Sequence, residues 1–139
     1  MQGGFDSIVL IDVVPLSLGT EVIGGIFSKI IDRNTAIPCS NTMRYTTTED
    51  NQTSMSIKVY QGEREVAKEN KYMGEFTLGG LAPAPRGMAK IDTTMSIDNN
   101  GILNVTSKDV GTGSTNSITI QPSGGLTKNE IEKMMREAE

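Results

Sequence analysis

Over most of the chain, apolar and polar residues alternate in short stretches. Met55, Ile57 and Val59 alternate with Ser56, Lys58 and Tyr60, and Ile91, Thr93, Met95 and Ile97 alternate with Asp92, Thr94, Ser96 and Asp98. A period of two is that of a half-buried strand. Asp98-Asn99-Asn100-Gly101 supplies residues tolerant of positive φ, and Ile102-Leu103-Asn104-Val105 then resumes an apolar run, a hairpin signal. Gly111-Thr112-Gly113 marks a second hairpin into Ser117-Ile118-Thr119-Ile120. Glu49-Asp50-Asn51-Gln52 reads as a turn between one strand over Met43 to Thr48 and another over Ser54 to Tyr60. About eight short strands at this spacing predict a mainly β fold, a two-layer antiparallel sandwich.

Two stretches depart from the alternation. Near the end, Thr127 with Glu130 forms a capping box, and Ile131, Met134, Met135 and Ala138 recur at helical spacing. No C-cap signal follows, so this helix is expected to continue. Near the start, the apolar run Ile8 to Ile11 leads into Asp12, Pro15 interrupts regular pairing, and Gly24-Gly25 closes the next segment. A strand buried on both faces does not normally carry an interior proline. Something is expected to approach this backbone closely.

Composition removes several classes. The 139 residues suffice for one domain with a core but are few for two. Net charge is −4 and the 13 basic residues are scattered, unlike the clustered basic face that binds nucleic acid. No apolar run approaches the roughly 20 residues that span a bilayer, so no membrane association is expected. Met1-Gln2-Gly3-Gly4 does not resemble a signal or transit peptide, and the natural chain is expected to extend beyond it.

Catalytic chemistry finds little support. The chain has no His, no Trp and one Cys, which excludes a Ser-His-Asp triad, a Cys-His pair, an imidazole metal ligand and an internal disulfide. Cys39, with no His to activate it, reads as a structural thiol at a loop or strand start, and a lone Cys fits a reducing compartment. Glu49 and Asp50 read as solvated turn residues, and Asp92 and Asp98 lie too far apart along one strand for close cooperation. Asn51-Gln52-Thr53 and Asn104-Val105-Thr106 match a glycosylation sequon of low specificity. Gly24-Gly25, Gly79-Gly80 and Gly124-Gly125 lack phosphate-loop spacing. The domain is therefore expected not to be an enzyme and to hold no metal. An adhesive or carbohydrate-binding sandwich is the alternative, but it would use aromatic platforms, and aromatics are 4 % of the residues.

The residues also carry a resemblance. Asp12-Val13-Val14-Pro15-Leu16-Ser17-Leu18-Gly19 resembles the segment that opens the peptide-binding domain of the seventy-kilodalton heat-shock, DnaK-type, chaperones. Arg33-Asn34-Thr35 with Ile37-Pro38, Glu49-Asp50-Asn51-Gln52, Gln61-Gly62-Glu63-Arg64, Pro83-Ala84-Pro85-Arg86-Gly87 and Ile97-Asp98 with Asn100-Gly101-Ile102-Leu103 match the family in order. The resemblance covers residues 8–139.

It implies a linker over residues 1–11, a peptide-binding sandwich over 12–122, and the beginning of a helical lid over 123–139. Function would be chaperoning: an extended apolar segment of an unfolded polypeptide lies in a channel, its backbone satisfied by loop groups and one side chain in a deep pocket. Carried over by position, the channel would be lined by Leu16, Leu18, Thr20, Val22 and Ile23 from the first wall. Tyr45, Thr47, Thr48, Gln52, Ser54, Met55, Ser56, Ile57 and Ile91 would complete it. Ile23 and Thr48 fall where the family's arch closes over the peptide, and Met55 and Ile57 fall at the central pocket near Tyr45. Thr20, Thr48 and Met55 depart from the family's usual Ile, Ala and Val, which puts peptide preference in question.

The resemblance further places Val9, Leu10, Asp12, Arg33 and Pro38 at the interdomain linker and interface, and Arg86 at a lid latch. ATP and Mg would be bound by a separate nucleotide-binding domain. J-domain co-chaperones and nucleotide-exchange factors would be partners of the whole protein, and the channel could also capture a second copy's apolar tail. Without a lid or the ATPase domain, peptide binding is expected to be weak, fast-exchanging and independent of ATP. Gln61-Gly62-Glu63-Arg64 and Ser123-Gly124-Gly125-Leu126 resemble bacterial or organellar members, so the mitochondrial matrix is the expected location, with bacterial cytoplasm as the alternative.

Overall fold

The structure, a computed structural model, describes residues 13–120. Eight strands form: β1 Leu18–Val22, β2 Ile26–Ile31, β3 Cys39–Tyr45, β4 Met55–Gln61, β5 Lys71–Leu78, β6 Ile91–Ile97, β7 Leu103–Asp109 and β8 Thr115–Ile120. They make two antiparallel four-stranded sheets, ordered β2-β1-β4-β5 and β3-β6-β7-β8. The mainly β, two-sheet arrangement expected from the alternation is the one found. The linker over 1–11 and the helix around Thr127 to Ala138 lie outside the described residues, as does Asp12.

The hairpins follow from local chemistry. Asp98 Oδ1 accepts the amides of Asn100 and Ile102 at 2.8 and 3.0 Å, and Gly101 takes φ 80°, which closes the β6–β7 turn. Asp109 does the same for β7–β8, accepting Gly111 and Thr112 amides at 2.8 and 3.3 Å. Between β1 and β2, a short 3₁₀ turn over Ile23–Gly25 reverses the chain, with Gly24 and Gly25 at φ 83° and 75°.

One boundary differs from the sequence expectation. The strand expected over Met43 to Thr48 runs instead over Cys39–Tyr45, in unbroken register with β6 from Cys39↔Ile97 to Tyr45↔Ile91. Thr46 and Thr47 leave it because the neighbouring loop binds them. The Thr46 hydroxyl donates to the Ala89 carbonyl at 2.7 Å, and the Gly87 amide donates to the Thr47 carbonyl at 3.1 Å.

The core lies between the sheets. Leu18, Ile57 and Val59 from the first meet Ile91, Met95, Ile97, Leu103 and Val105 from the second, with Val14, Leu78 and Leu81 closing the ends. A smaller cluster of Phe27, Tyr60 and Ala67 lies apart from this core. Side chains stitch the sandwich edges where no ladder can. Asn116 Nδ2 donates to the Thr77 carbonyl and the Ser114 hydroxyl to the Gly79 carbonyl, at 2.8 and 2.6 Å, joining β8 and its lead-in to β5 and the residue after it. At the other edge Asn41 Nδ2 donates to the Ile30 carbonyl at 2.8 Å, joining β3 to β2. The Ser28 and Tyr45 hydroxyls, 2.8 Å apart, make a second link there.

Candidate functional site

At one end of the sandwich the sheets do not close on each other. A cavity of about 730 Å³ opens there, bounded by the β1–β2 turn, the β3–β4 loop, the start of β4 and residues 87–93. Its size falls in the range of ligand-binding clefts. Strand alternation accounts for the apolar part of the lining: in β4, Ile57 points inward and is buried, while Met55, nearer the open end, is only half-buried.

The cavity brings together most of the fourteen channel positions expected from the sequence. Thr20, Val22 and Ile23 line it from β1 and the turn; Tyr45, Thr48 and Gln52 from β3 and its loop; Met55, Ser56 and Ile57 from β4. Ile23 is 73 % exposed at the mouth. The other five do not line it. Leu16, Leu18 and Ile91 are buried, the last two in the inter-sheet core. Inward alternation puts a residue on the core side of a sheet without saying how far along the sandwich it lies. Thr47 is turned away and buried, its hydroxyl accepting the Gly87 amide at 3.2 Å. Ser54 is exposed, and its carbonyl accepts from Gln52 Nε2 at 2.8 Å.

Gln52 organises the mouth. Its Oε1 accepts the amides of Thr48 and Glu49 at 3.0 and 3.2 Å while its Nε2 holds Ser54, so one side chain folds the β3–β4 loop over the cavity. Tyr45 is fixed by its bond to Ser28. Asp50 Oδ1 accepts the Arg86 amide at 2.9 Å and ties this loop to the 83–87 segment.

Lining residues not expected from the sequence are Glu21, Arg44, Lys58, Lys90, Ala89 and Thr93, among others. Thr93 had a signal, a lone hydroxyl among Ile91, Met95 and Ile97 on the inward face of β6. Ala89 and Lys90 come from a Pro- and Gly-rich loop with no periodicity to read. Arg44 binds Asp92 through Nε–Oδ1 at 2.7 Å and Nη2–Oδ2 at 3.1 Å. The Arg44 hydrogen bond, helped by its charge and that of Lys108 against desolvation, lowers the Asp92 carboxyl below its usual range. Burial, then the neighbouring Glu21 carboxylate, raises the Tyr60 phenol. Its hydroxyl donates to Glu21 Oε1 at 3.3 Å.

The remaining positions sit elsewhere. Arg33 and Pro38 lie in the β2–β3 connection, where the Arg33 amide donates to the Ser17 hydroxyl at 2.9 Å. Val9, Leu10 and Asp12 lie outside the described residues. Arg86 is exposed, and among the described residues its guanidinium meets no carboxylate.

The carboxylates weighed as an acid/base pair have structural duties, Asp92 with Arg44 and Asp98 within its turn. Among the described residues no group of three or more His, Cys, Asp or Glu could hold a metal ion. The geometry offers an open cleft with an apolar floor, a polar rim and ordered loops on both sides. A family model described as Hsp70 protein matches residues 1–139, over a fold of two antiparallel sheets that fits a substrate-binding domain of those chaperones. The chain belongs to the Hsp70 family of heat-shock chaperones, whose full-length members are ATPases that bind unfolded polypeptides.

Proposed function

We propose that this domain holds an extended apolar segment of an unfolded polypeptide across the end of the sandwich. The cavity is the observation that carries this reading: Met55 and Ile57 offer apolar contact below, and Ile23 and Thr48 stand on its two sides. A fully buried Leu, Ile or Val side chain gains about 1.5–3 kcal/mol. That is enough to anchor a segment whose backbone needs only loop groups of no particular sequence. In the whole protein ATP and magnesium would act in a separate nucleotide-binding domain, through a connector that includes Val9, Leu10 and Asp12. J-domain co-chaperones and exchange factors would act on that assembly, in the mitochondrial matrix by the resemblance of its loop sequences.

Fluorescence anisotropy with a labelled Leu-rich heptapeptide tests the reading. Binding is expected, and Met55→Asp should weaken it about tenfold or more, because a carboxylate would then be desolvated against the apolar occupant. Equal binding by Met55→Asp, with its fold intact by circular dichroism, refutes the cavity as the peptide site.

A further inference from the structure

Thr20 is the one floor residue whose chemistry the apolar-segment reading leaves unused. It lies in β1 between Leu18 and Val22, opposite Val59, and is 4 % exposed. It lines the cavity, yet its hydroxyl makes no hydrogen bond to any described residue. Other buried hydroxyls are partnered: Thr93 with Ser107 at 2.7 Å, Ser17 with Glu63 at 2.9 Å, and Thr47 with the Gly87 amide. Gln61 Oε1 is the only side-chain nitrogen or oxygen of the non-exposed described residues that is both sealed from solvent and unpartnered. Thr20 Oγ1 is therefore not sealed, and with the rest of the residue enclosed, its access is through the cavity.

A buried hydroxyl without a partner is costly, and a site that leaves one unpaired discriminates against ligands that cannot satisfy it. Resting on the peptide-binding reading, we infer that Thr20 sets side-chain preference in this cleft. The geometry favours a segment that seats a threonine beside Thr20 on equal terms with valine. The guest methyl would lie against the apolar floor that Met55 and Ile57 provide, and its hydroxyl would pair with Thr20 Oγ1. Valine fills the same volume but leaves that hydroxyl unpaired. A floor apolar throughout would reject threonine, because its hydroxyl would be desolvated for nothing.

The test uses heptapeptides Ala-Ala-Val-Val-Val-Ala-Ala in which each valine is replaced in turn by threonine, with affinities from competition anisotropy. At one position the threonine guest is expected to bind within about twofold of the parent. In Thr20→Val the same guest should fall about five- to tenfold behind it, the size of one lost hydrogen bond. Thr20→Ser, which keeps the hydroxyl, should retain the preference. O-methylthreonine at that position should bind unmodified protein several-fold more weakly than threonine, which reads the same contact without any protein variant. Peptides that bind with a valine-to-threonine ratio unmoved by Thr20→Val, or by O-methylation, overturn the inference and leave the binding site standing. No binding by any peptide overturns the peptide-binding reading itself.

Discussion

Ser17 and Glu63 are 46 residues apart and joined twice: the Ser17 amide donates to Glu63 Oε2 at 2.7 Å, and its hydroxyl to Oε1 at 2.9 Å. The Ser17 hydroxyl also accepts the Arg33 amide, so one 1 %-exposed serine ties together the entry to β1, the connection after β2 and the loop after β4. Lys29 reaches the same carboxylate at 3.2 Å from a more exposed position.

Glu63→Ala should therefore destabilise the domain by about 2–3 kcal/mol, since hydrogen bonds to a charged acceptor are lost and two Ser17 donors are left buried. Urea denaturation reads this directly. Lys29→Ala should cost less than about 1 kcal/mol, because its ammonium is solvated and a surface ion pair is weak. The reverse order would mean that charge pairing with Lys29, not satisfaction of Ser17, is what Glu63 supplies.

Gly19 is fixed by close approach instead of by its backbone angles. A Cβ there would fall on the Ser28 carbonyl oxygen and lie 2.8 Å from its carbon, on the neighbouring strand. Neither atom can yield without opening the β1–β2 ladder. Gly19→Ala should lower stability by about 3 kcal/mol, at the upper end for overpacking. It should also move amide resonances along β2. An unperturbed melting temperature would count against so close a strand approach.

The Thr93–Ser107 hydroxyl pair crosses from β6 to β7 inside the core, both residues at 1 % exposure or less. Ser107→Ala should cost about 1–3 kcal/mol because Thr93 is left unpaired, whereas adding Thr93→Val should recover part of that loss. Additive losses in the double variant would show that the two hydroxyls are not energetically coupled, and so that neither their bond nor a stranded hydroxyl accounts for the cost.

Asp92 titrates low because Arg44 holds its ionised form. Its folded pKa lies below the unfolded one. The associated stability is therefore present above the ordinary carboxylate range and is lost as pH falls through the lowered value. Arg44→Ala should raise the Asp92 midpoint toward the ordinary carboxylate range, followed by carboxyl carbon shifts in NMR. A midpoint that stays low in that variant would assign the shift to something other than Arg44.

The strands and tight turns were legible because period-two alternation and Asp/Asn/Gly chemistry are local signals. Met55, Ile57 and Val59, and Ile91 through Ile97, gave both the strands and their inward faces. Depth along the sandwich was not local. Leu18 and Val22 share a face of β1, yet Leu18 is in the core and Val22 on the cavity, a difference set by where the opposite sheet ends. Thr46 and Thr47 read as strand residues because threonine suits strands. Their release into the loop depends on Ala89 and Gly87, some forty residues on, which no window along the chain contains.

Gln52 gives the most direct link between a loop bond and ligand exchange. Its side chain holds Thr48, Glu49 and Ser54 at once, and Thr48 and Gln52 both line the cavity. Removing it with Gln52→Ala frees a solvent-facing loop, so stability should change by no more than about 1 kcal/mol. The mouth, however, would lose the constraint that keeps Thr48 in place, and ordering it again on binding costs free energy. Dissociation of a labelled apolar peptide should speed up about three- to tenfold, with a smaller effect on association. Gln52→Glu keeps the acceptor for the two amides and loses only the donor to Ser54, so its dissociation rate should fall between. Unchanged dissociation in Gln52→Ala, at unchanged stability, would show that the order of this loop does not govern escape from the cavity.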